Sequence, residues 1–460
     1  MVVAAYFALP QRFRWILLLL ASYYFYMSWS YKYVILILAA TVVNYLAGLF
    51  IGSTENRLKR KAFLAIGVIT SLGILFFYKY FNFFGDSLNA LFHAINIRQT
   101  IPYYDVLLPV GISFYTFQTL SYTIDVYYHK QPVERHFGIF ALYVSFFPQL
   151  VAGPIERSVN LLPQFYQRHT IEYTRIRDGV ILAVWGFFKK VVIADRLSEY
   201  VNTVYNHPAD HSGLQFVIAT FFFAFQIYCD FSGYSDIARG TAKIMGYELM
   251  INFRRPYFSA NIREFWQRWH ISLSSWFRDY VYIPLGGNRV AKWRWYLNLF
   301  ITFLVSGLWH GANWTFVIWG ALHGFYQVIG TSFKNVSPKF RNRNLSFVVN
   351  VFITFLIVCF AWIFFRANKV SEAFFILFKI FDFSSYSGLV NLFHFKADFS
   401  LSLLFLFILL VLEIFLERGT LVNRLRSLSR PLKWALFILI LAVIMVFGKW
   451  DEVNFLYFQF

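Results

Sequence analysis

The sequence predicts an all-α, polytopic membrane protein with roughly ten to twelve transmembrane or re-entrant helices. Three observations carry that prediction: an apolar composition, apolar runs that recur along the whole chain, and basic residues gathered in the short segments between the first of them. Of 460 residues, 58% are hydrophobic and only 14% are charged, against about a quarter charged in ordinary soluble domains. One water-soluble core cannot hide that much apolar surface.

Taken in order, Met1 to Pro10 is apolar but too short to span, and reads as an interfacial stub or the remnant of a longer first helix. Apolar runs then cover Trp15 to Trp29, Tyr33 to Ile51, Ala62 to Phe84, Phe216 to Tyr228, Leu345 to Phe365, Leu401 to Phe415 and Trp434 to Phe447. Several approach the roughly 20 residues needed to cross a bilayer. A cleavable signal peptide is not expected, because a polar n-region and a small-residue cleavage site are missing. With no long linker and no internal repeat, residues 1–460 read as a single membrane domain.

The 42 Lys+Arg exceed the 23 Asp+Glu by 19 charges, which in a soluble chain would raise the question of nucleic acid. Here the excess reads as topology, and no nucleic-acid partner is expected. Basic residues kept in short loops orient membrane helices, and Arg12 and Arg14 together with Arg57, Lys59, Arg60 and Lys61 bracket the first two spans. Those residues are expected on the cytoplasmic side. By alternation Asp86 to Asp105 falls outside and His129 to His136 inside. The two cysteines, Cys229 and Cys359, form neither a disulfide framework nor a metal pattern, and read as buried structural residues.

The centre of the chain breaks the apolar pattern. From Asn252 to Arg289 it carries Arg254, Arg255, Arg263, Glu264, Arg268, Arg278, Asp279 and Arg289, too many charges for a lipid-facing span. Placed on one helix, Ile262 to Tyr280 puts Ile262, Phe265, Trp266, Trp269, Leu273, Trp276, Phe277 and Tyr280 on a common arc. That predicts an amphipathic helix with His270 at the edge of the apolar arc, aimed at an interior.

Ionisable residues inside membranes are costly, so each is a functional candidate. His310 is flanked by Leu299 to Trp309 and Trp314 to Leu322; it reads either as a proton acceptor, which a neutral imidazole can be at cellular pH, or as a buried histidine bonded between helices. His323 lies thirteen positions later. On one uninterrupted helix the two would be roughly 20 Å apart and on different faces, so His323 reads as structural or interfacial and its replacement as milder. His93, His129, His136, His169, His207, His211 and His394 read as solvated loop or segment-end residues. Asp230 and Asp236 should be paired, with Arg239, Arg254 or Arg255 as candidates. Gly153-Pro154 and Pro284 with Gly286-Gly287 mark breaks that need an enclosed setting. Walker A, dinucleotide-fold, zincin and nucleophile-elbow signatures are missing from the sequence.

Six strings taken together resemble one known family: LLPVGISFYTFQTLSY from Leu107, FFPQLVAGPIER from Phe146, QIYCDFSGYSDIA from Gln226, NFRRPYFSANIREFWQRWHISLSSWFRDYVYIPLGGNR from Asn252, SGLWHGANWTFVIWGALHG from Ser306 and NFLYFQF from Asn454. They are similar to the membrane-bound O-acyltransferase family, in its bacterial polysaccharide branch, to which alginate O-acetylation belongs. The resemblance runs in order over essentially the whole chain.

What the resemblance implies is a ring of helices around a catalytic cavity and acyl transfer from a cytoplasmic donor, acetyl-CoA as a substrate, to a hydroxyl of an exported or cell-wall polysaccharide. The acceptor would be reached directly or through an extracytoplasmic acetyltransferase partner, at the cytoplasmic membrane and in contact with its lipid. No bound cofactor and no metal are expected. His310 matches the family's catalytic histidine and His270 a second polar position of the site; Asn313, Trp309 and Asp230 would support them. Arg254, Arg255 and Arg263 are the candidate contacts for the donor's phosphates. A lipid alcohol as acceptor, or a transporter or scaffold without catalysis, are the competing readings. The family's usual further helix before the first basic turn is not seen ahead of Pro10, a departure that leaves the position of the N-terminus open. The charge pattern makes one prediction by itself: a Ser87→Cys variant should react with an impermeant thiol reagent in intact cells stripped of any outer barrier, and reaction of Ser53→Cys in its place would reverse the orientation.

Overall fold

A computed structural model describes residues 1–332, 343–386, 396–419, 427–450 and 455–456. Among these residues every regular element is helical and no strand occurs. His394, Asn454 and Tyr457 to Phe460, which the sequence reading used, lie outside the described residues. Among the described residues six helices are long and apolar enough to cross a membrane: Tyr33–Ser53, Arg57–Ala94, Gly213–Met245, Asn344–Arg366, Ala397–Glu417 and Arg430–Phe447. Each contains one of the apolar runs. Large apolar side chains on them, such as Ile35, Ile69, Phe407 and Val446, are exposed, as suits helices whose solvent is lipid. The run from Trp15 lies on the helix Gln11–Met27, whose 17 residues are fewer than the roughly 20 of a full crossing.

The chain divides into two compact units, the first made of Met1–Val180 with Ala238–Met250. Its stub is a seven-residue helix, Val2–Ala8, anchored where the buried Tyr6 hydroxyl lies 3.1 Å from that of Tyr247. Within the apolar helix Tyr33–Ser53, Asn44 makes a polar knot: its amide donates to Ser71 at 2.8 Å and its oxygen accepts from Thr123 at 2.8 Å. Such side-chain pairing satisfies groups that lipid cannot. Asn56 caps Arg57–Leu75 by accepting from the Leu58 and Lys59 amides. The basic cluster that follows occupies the first turn of that helix, where cations oppose the helix dipole. Helix stability therefore does not explain the cluster. Arg60 departs from the others: it is buried, and it donates to the Tyr127 carbonyl at 2.7 Å. His169 also corrects the sequence reading, since it is buried against Tyr247 with ring centroids 4.9 Å apart.

The second unit comprises Ile181–Ile237 with Ile251–Phe460. Its core is aromatic, with Trp269, Trp319 and Trp362 among the largest fully buried side chains. Phe188–Ala194 winds as a wide π turn, in which each residue rotates less than in an α-helix. Consecutive lysines can then face one neighbour. Lys189 meets Asp236 at 2.7 Å and Ser232 at 2.9 Å, while Lys190 bridges Asp195 and Asp230, each at 2.7 Å. The partner of Asp230 is thus Lys190, not an arginine of the expected set, because the π turn brings to this helix a cation that linear spacing did not suggest.

The predicted helix over Ile262 to Tyr280 is broken. It runs Ile262–Arg268, stops, and restarts as Ile271–Phe277 before a π turn over Arg278–Tyr282. Between the two pieces the Arg254 amide donates to the Arg268 carbonyl and the Ile271 amide to the Asn252 carbonyl, both at 2.9 Å. Competing backbone partners end the first helix, so the apolar arc drawn over nineteen residues describes two separate faces. The Pro284 to Gly287 break is a turn, with Gly286 and Gly287 at positive φ. Cys229 and Cys359 are free thiols, one buried and one half-buried.

Lys190 offers a test of the charge cluster. Removing one partner of a buried ion pair costs about 3–5 kcal/mol because a charge is left uncompensated. Lys190→Met should therefore lower the melting temperature in detergent sharply, and adding Asp230→Leu should recover part of the loss. An unchanged melting temperature in the single variant would show that the two carboxylates are solvated.

Candidate active site

The site begins at a helical hairpin. Lys292–His310 and Trp314–Ser332 are antiparallel neighbours joined by three residues. They pack through bare backbone: a Cβ on Gly307 would lie 2.4 Å from the Phe316 carbonyl oxygen, and one on Gly320 would lie 2.5 Å from that of Phe303. Gly311 then leaves the first helix in an extended conformation, with φ −165° and ψ 151°. A side chain there would strike the Phe316 ring, its Cβ only 2.1 Å from the ring edge.

This break overturns the geometry that separated His310 from His323. Their separation assumed one continuous helix, whereas the chain reverses at Gly311 to Asn313 and carries His323 back alongside. Both imidazoles contact the same indole, Trp319, at 4.9 and 4.8 Å between ring centroids. His310 is the last residue of its helix and is buried. Its ring is also met by Trp309 at 5.0 Å and Phe365 at 5.4 Å.

His270 approaches from the break in the other helix. It sits at φ 42° and ψ 56°, a left-handed conformation that costs a non-glycine residue about 1–3 kcal/mol and persists only where its surroundings impose it. Asn252 imposes it. The Asn252 Oδ1 accepts the Ser272 amide at 3.2 Å and the Ser272 hydroxyl at 2.9 Å, and lies 3.1 Å from His270 Nδ1. Because the Ser272 amide can only donate, the atom facing Nδ1 is an oxygen, and Nδ1 carries the proton. Burial pushes the His270 imidazole down to about 3. It is therefore neutral at cellular pH, with Nε2 as its acceptor atom.

Trp309 touches both histidines: its ring centroid lies 6.2 Å from that of His270 and 5.0 Å from that of His310. Asn313 is used within the turn, where its amide donates to the Asn368 carbonyl at 2.8 Å and its oxygen accepts the Thr315 amide at 3.1 Å. Asp230 is occupied by Lys190 and by the Leu456 amide at 2.9 Å; its neighbour Phe231 reaches His270 at 4.5 Å. Of the three arginines, Arg254 and Arg263 are exposed, whereas Arg255 is paired with Glu417, which also holds Arg268 at 2.7 Å. Among the described residues no group of three His, Cys, Asp or Glu side chains is placed to hold a metal ion.

A histidine at a helix end, buried among aromatic rings and joined through one indole to a second, neutral histidine, has the parts for proton transfer in a water-poor setting. Comparison with known sequences decides the class of chemistry. The profile of the membrane-bound O-acyltransferase family matches residues 135–369, which contain both histidines. The chain belongs to that family.

Among its relatives, the probable alginate O-acetylase of Pseudomonas aeruginosa is 43% identical over 371 residues, covering 80% of this chain and 70% of that protein. The peptidoglycan O-acetyltransferase of Helicobacter pylori is 36% identical over 382 residues, covering 77% and 71%. The teichoic acid D-alanyltransferase of Bacillus subtilis is 28% identical over 288 residues, covering 58% and 71%. As a membrane-bound O-acyltransferase the chain is an enzyme of the membrane, and its aromatic and imidazole cluster lies inside the matched region.

Sequence reasoning did not single out Asn252, Trp319, Phe365 or Lys190. Asn252 opens one of the quoted strings, but nothing local says that it answers to a residue eighteen positions away. His323 was misplaced by the continuous-helix assumption.

The depressed His270 value makes a prediction. Below the ordinary histidine pKa near 6.5, the unfolded chain takes up a proton that the folded chain refuses, so this residue's contribution to stability is lost as pH falls. Between about pH 7 and about pH 4 the melting temperature of His270→Gln should fall less steeply than that of the unaltered protein. Equal slopes would mean that His270 is not the group responsible.

Proposed function

We propose that this membrane-bound O-acyltransferase moves acetyl groups from cytoplasmic acetyl-CoA across the cytoplasmic membrane for O-acetylation of an exported or cell-wall polysaccharide. The observation that carries the chemistry is the buried His310 at the end of its helix, inside the family-matched segment and ringed by aromatic side chains. A neutral imidazole there removes the proton of the acceptor hydroxyl as its oxygen attacks the thioester carbonyl; the C–O bond forms, the C–S bond breaks, and the coenzyme leaves as a thiol after protonation. His270, held neutral with an acceptor atom at Nε2, orients the acceptor or the base. Arg254 and Arg263 face the donor's phosphates, while Arg255 braces the helix break through Glu417.

The reading of the acceptor rests on relatives whose names state alginate, peptidoglycan and teichoic acid. All three are polymers, which favours a polysaccharide over a lipid alcohol. An extracytoplasmic acetyltransferase partner would complete a relay from the membrane to the glycan. Around the six long apolar helices, the shorter ones bring the membrane segments to about ten to twelve, closed around a cavity that receives donor and acceptor.

His310→Ala tests the mechanism. Loss of a general base commonly lowers rate about a hundredfold to ten-thousandfold, so the variant should insert and accumulate normally yet incorporate almost no label from radiolabelled acetyl-CoA into envelope material. Normal incorporation by a well-expressed variant would sink the mechanism, and would favour a scaffold.

A further inference from the structure

We propose that His323 is a positioning residue for His310, acting through Trp319. This rests on the reading of His310 given above. His310 ends its helix, and Gly311 beyond it is extended. Rings pack around it. Of these, Trp319 stands nearly perpendicular to His310, at 87°, so a rotation of the indole moves the wall against which the imidazole rests.

Trp319 is itself held on several sides. It stacks on Trp362 at 5.8 Å, meets Phe365 at 5.2 Å and Trp266 at 5.8 Å, and contacts His323 at 4.8 Å. Most of these contacts are apolar and tolerate sliding. One link is directional: the Trp266 indole N–H donates to His323 Nδ1 at 3.2 Å. An indole nitrogen is only a donor, so Nδ1 must be the acceptor and the neutral ring carries its proton on Nε2. His323 is fully buried, with Phe265 stacked on it at 6.2 Å. The hydrogen bond thus fixes the imidazole plane, the imidazole fixes the indole, and the indole fixes His310. A leucine at this position would strand the buried Trp266 donor and unlock that order.

The conservative variant follows from bond counting. Asparagine Oδ1 is the same number of bonds from the backbone as histidine Nδ1, so His323→Asn keeps an acceptor for Trp266 while His323→Leu removes it. Membrane vesicles containing each variant would be given radiolabelled acetyl-CoA, and incorporation into envelope material scored per folded molecule as donor concentration is varied. Misplacing a reacting group by about 1 Å can cost on the order of a hundredfold in rate. His323→Leu should therefore lower the saturating rate about tenfold to a hundredfold, with the half-saturating donor concentration changed less than about twofold. His323→Asn should be several times faster than His323→Leu. Trp266→Phe, which removes the donor from the other side, should also lower the saturating rate, and decides the matter if His323→Leu does not fold. A normal saturating rate in both His323→Leu and Trp266→Phe, beside an inactive His310→Ala, would overturn the positioning role alone; so would an asparagine variant no faster than the leucine one. An active His310→Ala would bring down the reading of His310 and this proposal with it.

Discussion

The backbone contact between Gly307 and Gly320 is the constraint on which the rest of the site depends. Two helices can approach this closely only where neither carries a side chain, and the approach forces the chain to reverse within Gly311 to Asn313. Reversal places residues from both helices around one indole. Three consequences follow together: His310 becomes a helix end, His323 returns to its neighbourhood, and Trp319 stands in ring contact with both. A single methyl group at either glycine would push the hairpin apart by more than a side chain could absorb, because the atoms it meets are backbone.

Around that hairpin the protein organises polarity by pairing it. In an apolar surrounding an unsatisfied charge or donor is expensive, and several buried ionisable groups of the second unit are paired. Lys189 and Lys190 answer three aspartates, the Tyr228 hydroxyl donates to Glu413, and Glu417 gathers Arg255 and Arg268. These pairs explain why a segment dense in charge, from Asn252 onward, can lie against aromatic residues. They also free the histidines from charge balance. His270 is held by an amide oxygen and His323 by an indole, so each is tied by a neutral hydrogen bond that fixes orientation without adding charge.

Aromatic residues supply the remaining rigidity. Each ring pair contributes about 0.5–1.5 kcal/mol beyond its buried area, and Trp319 takes part in several at once, one of them with the His323 ring that the Trp266 hydrogen bond anchors. The strained backbone at His270 depends on a similar surplus: three interactions at Asn252 Oδ1 offset the cost of the left-handed conformation. Both arrangements suit a reaction whose proton acceptor must be held in place.

By itself the sequence determined what depends on composition and local pattern. Apolar runs marked the six long helices found among the described residues, because lipid selects for them residue by residue. The strings around His270 and His310 marked the family, whose profile matches the segment that holds them. The break at Gly286-Gly287 was legible for a similar local reason. Only the tertiary structure decided what depends on where the chain turns back. Whether Ile262 to Tyr280 is one helix or two was settled by backbone bonds from Asn252 and Arg254, which lie outside the segment. The partner of Asp230 was settled by a π turn about forty residues earlier. His323 and His310 came to share the Trp319 indole because the helix between them is interrupted. Periodicity can place a residue on a face, but it cannot say which face the chain will fold back upon, since that choice is made by contacts between segments distant in sequence.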